Sequence, residues 1–135
     1  QLTTRHLSCG LRVVASTTCS VSLARAMLDS GADVNFRPGI LKDHKRISPS
    51  KNPLIAAAGK RTREAAEMMR LLLLTGADPN ASYTIGWHGQ PRSAAMEPGA
   101  KGISKWLGLT WDELVEWARE QRSDNSQNET ISRLY

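Results

Sequence analysis

LLLLTGADPN, residues 71–80, runs four leucines straight into a glycine and then an Asp-Pro-Asn turn. The leucines follow Glu67, Met68, Met69 and Arg70 and have the spacing of a buried helix. A glycine placed just past such a run suits the left-handed residue that closes many helices, where a Cβ is disfavoured. Asp78 and Asn80 carry side chains short enough to bond nearby backbone and hold a turn. The apolar run therefore stops because a helix ends and a loop begins.

The same ending occurs earlier. In LARAMLDSGADVN, residues 23–35, an apolar helical stripe again leads into Gly-Ala-Asp-x-Asn, so that Gly31, Ala32, Asp33 and Asn35 correspond to Gly76, Ala77, Asp78 and Asn80. Upstream of the second copy, NPLIAAAGK (52–60) places a cap residue, Asn52, before a proline at the first helical position, Pro53. Leu54 and Ala57 of that segment, with Leu72 and Leu73 of the leucine run, belong to the structural repeat signature.

These segments resemble the ankyrin repeat, a unit of two antiparallel helices followed by a projecting hairpin or loop, with a period near 33 residues. Residues 52–60 are similar to the family's Thr-Pro-Leu-His-x-Ala-Ala stretch, with Asn52 for the threonine and Ile55 for the histidine. Gly31 and Gly76 lie 45 positions apart, about 12 more than that period, and the excess falls in the loops at 36–52 and 59–64. Repeat proteins accept such insertions because each unit need only stack on its neighbours.

The resemblance covers roughly residues 10–108. LRVVASTT (11–18) stands where the first inner helix belongs, with a strand as the alternative, since valine and threonine are weak helix formers. A fainter third copy begins at QPRSAAMEPGAKGISKWLG (90–108), where Ile103, Trp106 and Leu107 form an apolar stripe. Thr110 and Glu113 then make a capping-box pair ahead of Trp111, Leu114, Val115 and Ala118, which share one helical face. Trp117 is expected to turn away from that face. The divergent repeats and this closing segment are similar to ankyrin regions of large filamentous-fungal proteins.

The expected fold is all-α: an ankyrin-like helical solenoid of about three repeats, with projecting loops or hairpins and a C-terminal capping helix. One domain spans 1–122, with repeats at about 10–35, 52–80 and 90–108 and the closing helix at 110–121. The polar segment 123–135 is expected to be disordered.

Composition agrees with a globular chain. The 135 residues are 40% hydrophobic and 23% charged, and the longest purely apolar run is far short of the roughly 20 residues that span a bilayer. Cys9 and Cys19 alone do not make a disulfide framework, which points to an intracellular setting, cytoplasmic or nuclear. Starting at Gln1 rather than Met, the sequence reads as a fragment or as a chain whose leader has been removed.

No sequence pattern announces catalysis. His6, His44 and His88 are widely separated in expected loops or tails, and no metal-ligand pair, nucleophile elbow or phosphate-binding loop occurs. The expectation is a non-enzymatic protein–protein interaction module, binding a partner through its finger loops and concave inner-helix face, with no cofactor, no metal site and no catalytic residue. The net charge of +5 is concentrated between residues 37 and 63, which suits a protein partner with an acidic surface. Candidate contact residues are Phe36, Arg37, Lys42, Lys45 and Arg46 in the first finger and Tyr83, Trp87 and His88 in the next. The bland alternative is a solvated loop. Two further readings are a nucleic-acid or polyanion module using 37–63, and a spacer within a larger repeat protein. The oligomeric state is open.

Overall fold

Two helix pairs form the framework. A computed structural model describes residues 3–36, 47–48, 51–83 and 91–134, with backbone alone for 47–48 and 124–134. The first pair is α1 (Thr4–Ser16) and α2 (Val21–Asp29), and the second is α3 (Pro53–Ala58) and α4 (Arg63–Thr75). Partners within each pair pack on one another, and the pairs stack with α1 against α3 and α2 against α4. A third layer follows: a 3-10 turn (Ala94–Met96), α5 (Pro98–Lys101), α6 (Ser104–Leu107) and α7 (Trp111–Leu134). There α5 packs on α3 while α6 and α7 cover α4. Three two-residue strands join the layers. β1 (Ile47–Ser48) runs parallel to β2 (Ser82–Tyr83), which pairs antiparallel with β3 (Arg92–Ser93).

Helix starts follow the cap residues. Asn52 Oδ1 accepts from the Ile55 N–H at 2.9 Å, and Thr62 Oγ1 accepts from Ala65 N–H at 3.1 Å. Every residue of α3 is buried, because it lies between α1, α4 and α5. The three alanines at 56–58 keep that crowded helix thin. On α4 the buried face comprises Ala65, Ala66, Met68, Met69 and Leu71 to Leu73, so the leucine run is core.

Both Gly-Ala-Asp endings close their helices in one way. Gly31 has φ +107° and Gly76 φ +108°. In each case the glycine N–H bonds the carbonyl three residues back and the following alanine N–H the carbonyl five back: Gly31 to Leu28 and Ala32 to Met27, Gly76 to Leu73 and Ala77 to Leu72. These are Schellman closures, which satisfy the last helical carbonyls. Asp33 Oδ1 then accepts from Asn35 N–H and Asp78 Oδ1 from Asn80 N–H, both at 2.9 Å. Asn35 goes further. Its Oδ1 accepts from Asp78 N–H at 2.8 Å and its Nδ2 donates to Gly76 O at 3.3 Å, so the first turn holds the second.

Several expectations are corrected. The first inner helix begins at Thr4, well before residue 11, and no strand forms there. Thr3 and His6 cap it reciprocally, which takes His6 out of the expected tail and into the first turn. Burial of Leu11, Val14 and Ala15 outweighs the weak propensity of its valines. α7 continues through Leu134, across the segment expected to be disordered; no glycine or proline interrupts residues 111–134. Trp117 packs half-buried against the core, as do Trp106 and Trp111. It follows Leu114 by three positions and so shares its side of the helix. The Thr110–Glu113 capping box forms as expected, and the N–H of Thr110, with its hydroxyl, holds the Glu113 carboxyl below the usual range.

Two stability predictions follow from these contacts. No atom crowds a Cβ at Gly76, so Gly76→Ala should lose about 1–3 kcal/mol through backbone strain alone; an unchanged melting temperature refutes the left-handed closure. Among the described residues the buried Asn52 Nδ2 has no hydrogen-bond partner. Asn52→Ala should therefore lose about 1 kcal/mol with the cap oxygen, while Asn52→Thr, which keeps that oxygen and drops the unpaired donor, should match or exceed wild type in urea melts. Equal losses for both would show that the amide group itself is needed.

Candidate interaction surface

Stacking brings the two fingers side by side, since Ile47 and Ser48 pair with Ser82 and Tyr83. Phe36 is half-buried at the start of the first finger. Arg37, Lys42, Lys45, Arg46, Trp87 and His88 lie outside the described residues.

Tyr83 is not the exposed contact residue expected from the sequence. Its ring is only 4% exposed. The hydroxyl donates to Glu97 Oε1, and Glu97 is itself buried. Lys51 Nζ lies over the ring, 5.1 Å from its centre. Arg92 Nε approaches Glu97 Oε1 at 3.7 Å, and its Nη2 donates to Met96 O at 3.0 Å. Burial, with the Glu97 carboxylate accepting its proton, pushes the Tyr83 hydroxyl above its ordinary pKa. This node fastens the second finger to the third layer.

The basic excess of residues 37–63 is divided in three dimensions. Lys51 serves Tyr83, and Lys60 Nζ donates to Thr17 O at 2.7 Å, closing the end of α1. Arg61 instead joins Arg92, Lys101 and Lys105 around an open cleft of about 650 Å³, beside Met96 and Trp106. Among the described residues no carboxylate lines the cleft. Its floor is held where Gly99 meets the end of α3: a Cβ there would come within 2.2 Å of Lys60 O and 2.4 Å of Ala58 O. Met96 is 46% exposed, and Lys105 Nζ sits 4.9 Å from the centre of the Trp106 ring.

The ankyrin-repeat family matches residues 51–83. The matched span takes in Asn52 with its cap, both helices of the second pair, the Gly76 closure and β2. The chain thus contains an ankyrin repeat at residues 51–83. No curated protein and no solved structure matches it.

The repeat unit explains why the cleft escaped the linear reading. Arg61 lies in the turn between the helices of the ankyrin repeat, and Lys101 and Lys105 come from α5 and α6 on either side of the turn at Gly102 and Ile103 in the next layer. Stacking places equivalent turns together, so residues 40 positions apart along the chain share one surface. Aligning GKRTRE with GAKGISK would have signalled it. Among the described residues no group of His, Cys, Asp or Glu could hold a metal ion. Cys19 is buried, which pushes its thiol up, partly offset by Lys60. The cleft thus offers charge and apolar contact.

The Tyr83 node makes a pH prediction. Because the folded-state pKa is raised, the unfolded chain loses this proton first, so the stability this node contributes should be level below about pH 10 and fall as pH rises beyond it. Tyr83→Phe should lower stability at neutral pH by about 1–3 kcal/mol, the cost of leaving the buried Glu97 short of a donor, and should remove that part of the alkaline decline. An identical pH profile in the variant would count against the assignment.

Proposed function

We propose that this ankyrin-repeat protein is a non-catalytic protein-binding module of about three repeat units. Its contact surfaces are the cleft beside the inter-helix turns and, at the other end of the helix pairs, the two fingers. The observation that carries this reading is the cleft itself, where Arg61, Lys101 and Lys105 gather beside exposed Met96 and half-buried Trp106, with no acidic residue lining it among the described residues. Ankyrin repeats are in general protein-interaction modules. A stack fixed by Schellman closures and a buried α3 presents such a surface with little conformational entropy left to lose, which favours binding.

Phe36 and the finger residues Arg37, Lys42, Lys45, Arg46, Trp87 and His88 extend the proposed surface, and a partner with an acidic face fits its charge. Among the described residues no helix is long and apolar enough to cross a membrane, and both cysteines are free; a reducing intracellular compartment suits them.

A photo-cross-linker placed at Arg61, Lys105 or Phe36, one at a time, tests the reading in lysate from the source cells. The expected result is a discrete, nuclease-resistant protein adduct from at least one of these positions and none from Arg25 on α2, a helix that packs on α1 and α4. Adducts of nucleic acid alone, or equal labelling from Arg25, would refute it.

A further inference from the structure

The chemistry of the cleft narrows the class of partner. Among the described residues, four cations converge on one concavity that no carboxylate lines. Arg92 is the one already engaged, by Glu97 and Met96 O. Arg61 and Lys101 form no ion pair among the described residues, and Lys105 is turned over Trp106. Like charges gathered in this way repel one another, and a ligand carrying carboxylates relieves that repulsion as it binds. Arg61 adds a planar fork of donors that matches a carboxylate in two bonds.

The same walls are apolar between the charges. Met96 is exposed over nearly half its surface, one of few large hydrophobic side chains so placed, and it stands with Pro98 and Trp106 at the cleft. A thioether adapts its shape to varied apolar groups. A cation–apolar–cation surface selects a ligand with the complementary order, which a peptide carrying both acidic and apolar side chains supplies. A nucleic acid fits less well. It needs a continuous basic track with free aromatic faces for base stacking, whereas the volume here is that of a pocket and the Lys105 ammonium lies over the ring of Trp106.

We infer that the cleft between the inter-helix turns binds a short acidic segment of a partner protein, with carboxylates on Arg61, Lys101 and Lys105 and an apolar side chain against Met96 and Trp106. This rests on the protein-binding reading above and names the chemistry of the segment it takes. Its walls are prepared in advance: Gly99 is packed against the carbonyls of Ala58 and Lys60, and Arg92 ties β3 to the 3-10 turn through Met96 O. Little ordering remains for the ligand to impose.

The test is a titration of the full chain with labelled short peptides of Glu, Gly and Leu, read by anisotropy and by the amide signals of Gly99 and Gly102 and the indole signal of Trp106. The comparison ligands are the same peptide with Gln for Glu, the Glu peptide with Ser for Leu, and a single-stranded oligonucleotide. The Glu–Leu peptide should bind roughly tenfold or more tightly than either altered peptide, with all three signals shifting. The double variant Lys101→Glu, Lys105→Glu, both positions exposed, should lose that binding while Arg25→Glu keeps it, the melting temperatures of both confirming that they fold. Equal affinity for the Gln peptide, tighter binding of the oligonucleotide, retention in the double variant or no peptide binding at all would each overturn the proposal. If the peptide fails while protein cross-links from Arg61, Lys105 or Phe36 persist, only the acidic-segment inference falls. Loss of both removes the protein-binding reading as well.

Discussion

The link on which the stack depends is the side chain of Asn35, which reaches across from one helix closure to the next and bonds both Asp78 N–H and Gly76 O. It can do so only because Gly31 and Gly76 each adopt a left-handed conformation, so that both turns leave their helices in the same direction. A net contribution of about 1 kcal/mol per hydrogen bond is modest beside the burial of α3 and α4. Its value lies in direction. An apolar interface tolerates small slides, whereas a two-bond amide bridge between equivalent turns sets the register of one pair on the other.

From that register the rest of the architecture follows. With α1 on α3 and α2 on α4, the fingers come together as β1 and β2, and the inter-helix turns line up on the opposite ends of the same helices. The third layer has no Gly-Ala-Asp closure to extend the pattern. It is attached by other means: Gly99 against the α3 carbonyls, the Tyr83–Glu97–Arg92 node, and Arg122, whose guanidinium donates to Leu73 O at the end of α4. Two of these three attachments use charged groups. Arg92, Glu97 and Arg122 therefore have a structural task before any binding one.

The charge distribution shows the cost of reading a repeat protein along its chain. Residues 37–63 look like one basic segment, yet the described members are dispersed, with Lys51 on a buried ring, Lys60 on the end of α1 and Arg61 alone facing the cleft. The cations that join Arg61 come from the next unit. Tyr83 shows the same effect in reverse, since an aromatic residue in a finger reads as an exposed anchor but is enclosed once β3 and Glu97 fold over it.

What the sequence determined by itself is local. The caps at Asn52 and Thr110, the left-handed glycines, the buried leucines of α4 and the ankyrin pattern at 52–80 were legible because each is set by residues within a few positions of one another. Helix limits were less so where burial outweighed propensity, as in α1, or where no helix breaker was present, as beyond Arg122. Only the tertiary structure decided that Asn35 would bridge two turns, that Tyr83 would be interior, and that Arg61, Arg92, Lys101 and Lys105 would share a cleft. Those outcomes depend on which residues stacking brings together, and contacts across 40 or so positions leave no mark in local spacing unless the repeats are first laid over one another.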